Sequence, residues 1–317
     1  MTAQERFNLP KPSDMNPENL FQNLGGKLLN EAPAIAPPVF KSQEGTPYLT
    51  QPGVALIAMP QIQLASLQTF LNGFDSSLEF SNYLNDPTLL ASGAQLCKIA
   101  GQTCYASFSP KRTMNANADR YFHNIMSSGH GSVLEHANYS FFLYGISRSL
   151  THEMIRHRAG FGYSQLSQRY VSGRVLRFVE RPEFQDGGEF HQSFLRRIDR
   201  AYAEYHTIAE KLLQDQASGT VILSAEAKTD LRKKVNQAAR AVLPNETETI
   251  LVATGNARAW RHFIEMRASD HSEVEIRALA VRIFLCLRLA EPLLFEDYKL
   301  QELADGTFSV STPTSKV

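Results

Sequence analysis

Between residues 156 and 170 the chain reads Arg-His-Arg-Ala-Gly-Phe-Gly-Tyr-Ser-Gln-Leu-Ser-Gln-Arg-Tyr. Arg156, Arg158 and Arg169 offer flat, permanently charged forks that match phosphate oxygens. Ser164, Gln165, Ser167 and Gln168 offer hydrogen bonds to a polar heteroaromatic base. Gly160 and Gly162 suit a backbone that turns tightly or approaches a ligand. As chemistry, this is a nucleotide site. An isolated basic cluster is more often a solvated loop, but the glycines, amides and aromatics among these arginines reverse that preference.

A second group follows about a hundred residues on. Arg240 stands before Pro244, and then come Asn256, Arg258, His262 and Arg267. Arg258 and His262 are four apart and share a helical face, with Arg267 offset around the axis. The bland alternative is a helix that buries Trp260, Phe263 and Ile264 and exposes its charges. The third group is Gly129-His130-Gly131-Ser132-Val133-Leu134-Glu135-His136. Here Ser132 could cap the next segment and Glu135 could complete a capping box, a role that competes with any ligand role.

Other chemistries are excluded. His152, Glu153 and His157 resemble a zinc-protease helix, but the histidines are five apart, about 140° around the axis, so no metal site is expected. No G-x-G-x-x-G or Walker loop is present, which argues against Rossmann and P-loop enzymes. Lys plus Arg equals Asp plus Glu at 32 each. Zero net charge argues against a nucleic-acid partner. Three cysteines, Cys97, Cys104 and Cys286, give no disulfide framework and read as reduced thiols. There is no membrane-length apolar run and no secretory signal pattern, so a cytoplasmic protein without a membrane partner is expected.

The elements that must position these groups are mixed. Residues 1–50 read as an N-terminal extension, partly irregular, with a short helix over Leu20–Leu29 and a linker at Ala32–Ala36. Residues 51–300 read as the main domain and 301–317 as a tail. Strands are expected at Val54–Met59, Tyr139–Ile146 and Thr249–Thr254, with Val171–Phe178 extended. Helices are expected over Ser81–Cys104, Asn117–Ser127, Ser149–Ile155, Phe190–Gln216, Leu231–Leu243, Ala259–Met266 and Glu273–Ala290. Without regular βαβ alternation the class is α+β, mixed helices around a small, largely antiparallel sheet.

Together the three groups resemble the flavin-dependent thymidylate synthases, whose motif is Arg-His-Arg, seven residues, then Ser, with Arg-Tyr close behind. The resemblance runs from about Cys97 to Phe295. It includes GHGSVLEHANYSFFLYGISRS, SQLSQRY and NARAWRHFIEMRASDHSEVEIRALA. One departure is that eight residues, Ala159 to Leu166, separate Arg158 from Ser167; the extra one falls within Ala159–Tyr163.

The resemblance implies that family's non-Rossmann fold, FAD as cofactor, NADPH and methylenetetrahydrofolate as co-substrates, dUMP as substrate, and a homotetramer with shared active sites. It implies flavin contacts at His130, Ser132, Glu135, Arg156, His157, Arg158, Gln165, Asn256, Arg258 and His262. His262 stands where some members carry Asn. dUMP contacts are implied at Glu153, Arg156, Gln165, Leu166, Ser167, Gln168, Arg169, Arg240 and Arg267; Glu153 stands where some members carry Gln. Arg267 is the expected catalytic residue, stabilising charge on the uracil with support from Arg169. Cys97 and Cys286 sit in apolar helical runs and Cys104 has no His or Arg within several residues along the chain, so no thiolate step is expected. The competing readings are a related C5-methylase of UMP or another pyrimidine nucleotide, and a non-catalytic flavin or nucleotide-binding module.

Overall fold

Aromatic and β-branched residues concentrate in NYSFFLYGIS (Asn138–Ser147) and ETILVATGN (Glu248–Asn256), and in the computed structural model these form the central antiparallel pair of a six-stranded sheet. The structure describes residues 13–30, 32–217, 225–315 and 317. The first twelve residues of the expected extension lie outside that set. In chain order the strands are β1 (Ser13–Asp14), β2 (Gly26–Leu29), β3 (Ala32–Ile35), β4 (Val39–Lys41), β5 (Pro47–Leu49) and β6 (Gly53–Ala58). They continue with β7 (Asn138–Ser147), β8 (Phe161–Gln165), β9 (Phe178–Val179), β10 (Glu248–Asn256), β11 (Lys299–Glu302) and β12 (Phe308–Ser311).

The main sheet has the order β2-β3-β6-β7-β10-β8 and is antiparallel throughout. Two three-stranded sheets flank it, β1-β11-β12 and β4-β5-β9, the second with a parallel β5–β9 pair. The mixed α+β class is what the structure has, with more strand than the sequence reading allowed. Alternation along β7 buries Tyr139, Phe141 and Leu143 completely on one face and leaves Ser140, Phe142 and Tyr144 on the other. In the same core cluster sits the Val274–Ala290 helix, whose Ile276, Leu279, Ala280, Ile283, Phe284 and Leu287 are fully buried. Being apolar nearly all round, this helix belongs in an interior. No described helix is long and apolar enough to cross a membrane.

Several expectations need correction. The helix at Leu20–Leu29 is Pro17–Asn23, and Gly25 in the left-handed region ends it before β2 begins. Ala32–Ala36 is not a linker, because β3 pairs with both β2 and β6. Ser81–Cys104 is split into a 3-10 turn at Phe80–Asn85 and a helix at Ser92–Thr103. The break falls at Asp86, held extended by Pro87 behind it. Leu231–Leu243 is helical only to Ala239 and tightens to a 3-10 turn at Arg240–Val242 ahead of Pro244. Val171–Phe178 is mostly a turn around Gly173–Val175, and only Phe178–Val179 is strand.

Two anchors fix the helix Ala257–Arg267, which carries much of the second motif group. Trp260 is fully buried, donates to the Tyr139 carbonyl at 3.1 Å and packs edge-on against Phe141 and Phe161. An aromatic ring so placed contributes about 3–5 kcal/mol, judged by core truncations. Arg261, 1% exposed, forks onto both oxygens of Asp297 at 2.7 Å and reaches the carbonyls of Leu294 and Val317 and the Thr314 hydroxyl. The C-terminal segment is thereby tied to this helix.

Candidate active site

The Arg148–Met154 helix starts at Ser147, whose hydroxyl accepts from the Leu150 amide at 3.1 Å. Leu150, Thr151 and Met154 are buried, which turns Arg148, His152 and Glu153 outward. Behind it, the Arg156-His157-Arg158 loop is moored by the Tyr163 hydroxyl, which lies 2.8 Å from the His157 carbonyl and 3.2 Å from that of Met154. Gly160 has φ +76°, and a Cβ there would stand 2.9 Å from Ala259 Cβ and 3.0 Å from Asn256 Nδ2. Only glycine lets this loop lie against the start of the Ala257–Arg267 helix. The first two motif groups, a hundred residues apart, therefore run side by side.

At their junction Arg267 donates through Nε to His157 Nε2 at 2.9 Å and through Nη1 to Glu153 at 2.9 Å. The His157 ring packs against Phe263 and His262. Burial, then the charges of Arg267, His262 and Arg156, push His157 down to about 4. It is neutral at pH 7, as an acceptor must be, with its proton on Nδ1. Arg267 keeps further N–H donors beyond these two bonds.

A stability consequence follows. The unfolded chain takes up this proton near the ordinary 6.5 and the folded chain only near 4. The contribution is thus intact above 6.5 and is lost as pH falls from 6.5 to 4. Urea midpoints across that window should fall more steeply for the parent than for His157→Gln, which accepts but does not titrate. Equal slopes would discard the assignment.

A cationic pair lies at the other end of the Arg148–Met154 helix. Arg148, His152, Gln168 and Arg240 share the lining of a cavity of about 470 Å³. Burial and then the Arg240 charge push the Arg148 guanidinium down, so the two cations stand close. Such a pair suits an anion with several oxygens. Sequence reading missed Arg148 and used His152 only to reject a zinc site. Their shared helical face, four residues apart, was the available signal.

The third group joins through Glu135, which pairs with Arg258 at 2.6 Å; the two side chains are 50% and 42% exposed. A pair so exposed contributes at most about 1 kcal/mol, leaving Arg258 readily available to another anion. The capping reading of this segment is incorrect: it is a 3-10 turn, Gly131–Glu135, without a side-chain cap. His130 and Ser132, both exposed, line a cavity of about 460 Å³. Cys104 lines it too, beside Lys111 and Arg112, so its lack of basic neighbours holds only along the chain. Burial pushes the Cys97 thiol up to about 12 and that of Cys286 higher still. Asn256 caps its own helix, its Oδ1 accepting from the Ala259 amide at 2.8 Å.

On β8, Gln165 donates to the hydroxyls of Thr151 and Thr249 at 3.1 and 3.3 Å. Leu166 is half-buried and its amide bonds to the Ile250 carbonyl. The Ser167 hydroxyl accepts from the Arg169 amide at 3.3 Å, closing a turn. Arg156 and Arg158 are exposed on their loop. Arg169 is exposed as well, its guanidinium 5.9 Å from the Tyr170 ring, which also carries Lys233. Among the described contacts none joins the Arg169 side chain to Arg267 or Arg240. Nor is any group of three or more His, Cys, Asp or Glu side chains among the described residues arranged to hold a metal ion.

A sequence model of the thymidylate synthase complementing protein family matches residues 88–293. The flavin-dependent thymidylate synthase of Mycolicibacterium gilvum is 46% identical over 224 residues, 70% of this chain and 86% of that one. That of Mycobacterium tuberculosis is 45% identical over the same shares. The chain belongs to the flavin-dependent thymidylate synthase family. Among solved structures, a UMP/dUMP methylase, PolB from Streptomyces cacaoi, bound with 5-Br dUMP, is similar in fold: TM-score 0.50 and 20% identity, over 78% of this chain and 94% of that one. The match to the flavin-dependent thymidylate synthase family spans every arginine described above at the site, from Arg148 to Arg267. The β2–β3 hairpin and the C-terminal hairpin lie outside it.

Proposed function

We propose that this protein converts dUMP to dTMP by reductive methylation, with methylenetetrahydrofolate as one-carbon donor and FAD, recycled by NADPH, as redox cofactor. The observation that carries the reading is the placement of two arginine centres along one helix. Arg267, held by Glu153 and neutral His157, marks one end, and the Arg148–Arg240 pair marks the other. From Arg148 to Glu153 the helix rises about 7.5 Å, a length that a nucleoside monophosphate covers between phosphate and base. Arg148, Arg240 and Gln168 take the 5′-phosphate. Glu153 and Arg267 take the polar edge of the pyrimidine, with Gln165, Leu166, Ser167, Arg156 and Arg169 completing the contacts.

The residues present also fit a flavin. Arg258 lies in the first turn of the Ala257–Arg267 helix, where a pyrophosphate is favoured by the backbone as well, and His262 follows one turn further along the same face. At Gly131 a Cβ would stand 3.0 Å from Arg258 Nε, so the glycine admits a close approach. His130, Ser132, Glu135, Asn256, Arg156, His157 and Arg158 complete the set that would hold it. When bound, the flavin supplies the reducing equivalents. The chain's part is to orient the pyrimidine and to stabilise charge on it through Arg267. Methylation at C5 needs electron density there, and a guanidinium at the carbonyl edge stabilises the anion that provides it. We take the working form to be a homotetramer; the open face of the main sheet, with Ile57 54% and Phe142 37% exposed, supports association.

The test is formation of dTMP from dUMP by the purified yellow protein given NADPH and methylenetetrahydrofolate, beside the same assay with UMP. A flavin-loaded, NADPH-reducible protein that makes no dTMP would end this reading. Arg148→Ala should raise KM for dUMP roughly ten- to hundredfold with kcat less affected, the scale of one lost charge-assisted bond at about 1.5–3 kcal/mol. An unchanged KM removes Arg148 from the phosphate site.

A further inference from the structure

A cavity of about 180 Å³ lies between the Val274–Ala290 helix, the 50–52 turn, the Val179–Gln185 stretch and the β11–β12 turn. None of the nucleotide or flavin candidates lines it. At this size a cavity takes up a ring-sized molecule and not merely one or two waters.

Two guanidinium groups line it, Arg277 and Arg282, only 6% and 5% exposed. Arg277 donates to the Asp270 carbonyl and the Thr307 hydroxyl, each at 2.8 Å, and has the Asp305 carboxylate at 3.6 Å. Arg282 has no such compensation. Among the described residues it donates only to neutral acceptors, the Ala278 carbonyl at 3.1 Å and the Gln51 amide oxygen at 2.6 Å. Its Nε has no acceptor among the described residues, nor has that of Arg277. Burial holds the Arg282 guanidinium down to about 10, against a smaller upward influence of the Cys286 thiol.

Two carboxylates share the lining, but both are already engaged. The Glu275 oxygens accept from the Ser147 amide at 2.7 Å and its hydroxyl at 2.8 Å, and Glu180 is bonded to His191 at 2.5 Å. Neither forms an ion pair with Arg282. Apolar surface comes from Val281, Ala278 and Phe308.

A buried cation bonded only to neutral acceptors is costly, and a counter-charge entering from outside removes that cost. The two carboxylates in the wall repel any anion in proportion to its charge, which disfavours a phosphate-like dianion relative to a mono-anion. We propose that this cavity binds a small organic mono-anion, a carboxylate on an apolar body, with its charge on Arg282 and its body against Val281 and Phe308. The site is separate from the nucleotide site and stands whether or not that assignment does.

The test titrates benzoate, and separately its neutral isostere benzamide, into the full-length protein by calorimetry. Benzoate should bind with millimolar or tighter affinity, and benzamide at least roughly tenfold more weakly. Ala278→Leu, which fills the cavity and alters no charge, should abolish benzoate binding, as should Arg282→Leu. Should Arg282→Leu fail to fold, Ala278→Leu and the benzamide comparison still decide the matter. Absence of benzoate binding, equal affinity for benzamide, or unchanged benzoate affinity in Ala278→Leu each overturns the proposal.

Discussion

Arg267→Ala is expected to lower methyl transfer to dUMP by about 10²–10³-fold, the scale set by deleting one preorganised donor to a developing anion. Arg267 is fixed from two sides, by Glu153 and by the unprotonated nitrogen of His157, so its free N–H groups reach the substrate without reorganising. That preorganisation is the source of the effect, since a mobile guanidinium would gain little over water. Flavin absorbance should remain near that of the parent, because Arg258, in the first turn of the helix, and its pairing with Glu135 are untouched. Arg267→Lys should recover only part of the loss, an ammonium having no planar fork. Near-parental turnover in the alanine variant, with flavin and nucleotide both bound, would remove Arg267 from the chemistry.

Arg261→Met should be the most damaging single change to stability, costing about 3–5 kcal/mol as one member of a buried pair is deleted. It strands Asp297, whose side chain is 15% exposed, and frees the carbonyls of Leu294 and Val317. Burial pushes the Asp297 carboxyl up, but the Arg261 fork and the Thr312 and Thr314 hydroxyls outweigh it and hold the group below its ordinary range. Its stabilising contribution is therefore present at neutral pH and is lost as pH falls through that lowered value. Urea denaturation at pH 7 checks the size. The double variant Arg261→Met, Asp297→Leu should recover part of the loss, because no charge is left unpaired. If the double variant is as unstable as the sum of the singles, the cost lies in packing and not in the stranded carboxylate.

What was legible in the sequence was legible for local reasons. The Ala257–Arg267 and Val274–Ala290 helices follow from apolar spacing, and the β7 and β10 strands from β-branched and aromatic runs. The β2–β3 hairpin was missed because its strands are four residues long, too short for a period, and Ala32–Ala36 read as a linker. Pro33 is tolerated because pairing of β3 with β6 begins only at Ala34, so no ladder bond to that side is lost. At the site, the residue types were readable and their partners were not. Glu135 looked like a local cap, yet it pairs with Arg258, 123 residues away. Arg148 drew no notice because Arg240, which gives it meaning, lies in a turn set by Pro244 and far along the chain. Arg169, which the resemblance places with the nucleotide, has its guanidinium 5.9 Å from the Tyr170 ring, a contact between neighbours in sequence that its residue type alone did not announce.

The phenol of Tyr163 has a bearing on alkaline behaviour. Burial raises its pKa far above the ordinary tyrosine range, so the hydroxyl that tethers the Arg-His-Arg loop keeps its proton well beyond pH 10. Any basic limb in a rate profile must then originate in the substrate or in another residue, and Tyr163→Phe should leave the position of that limb where it was.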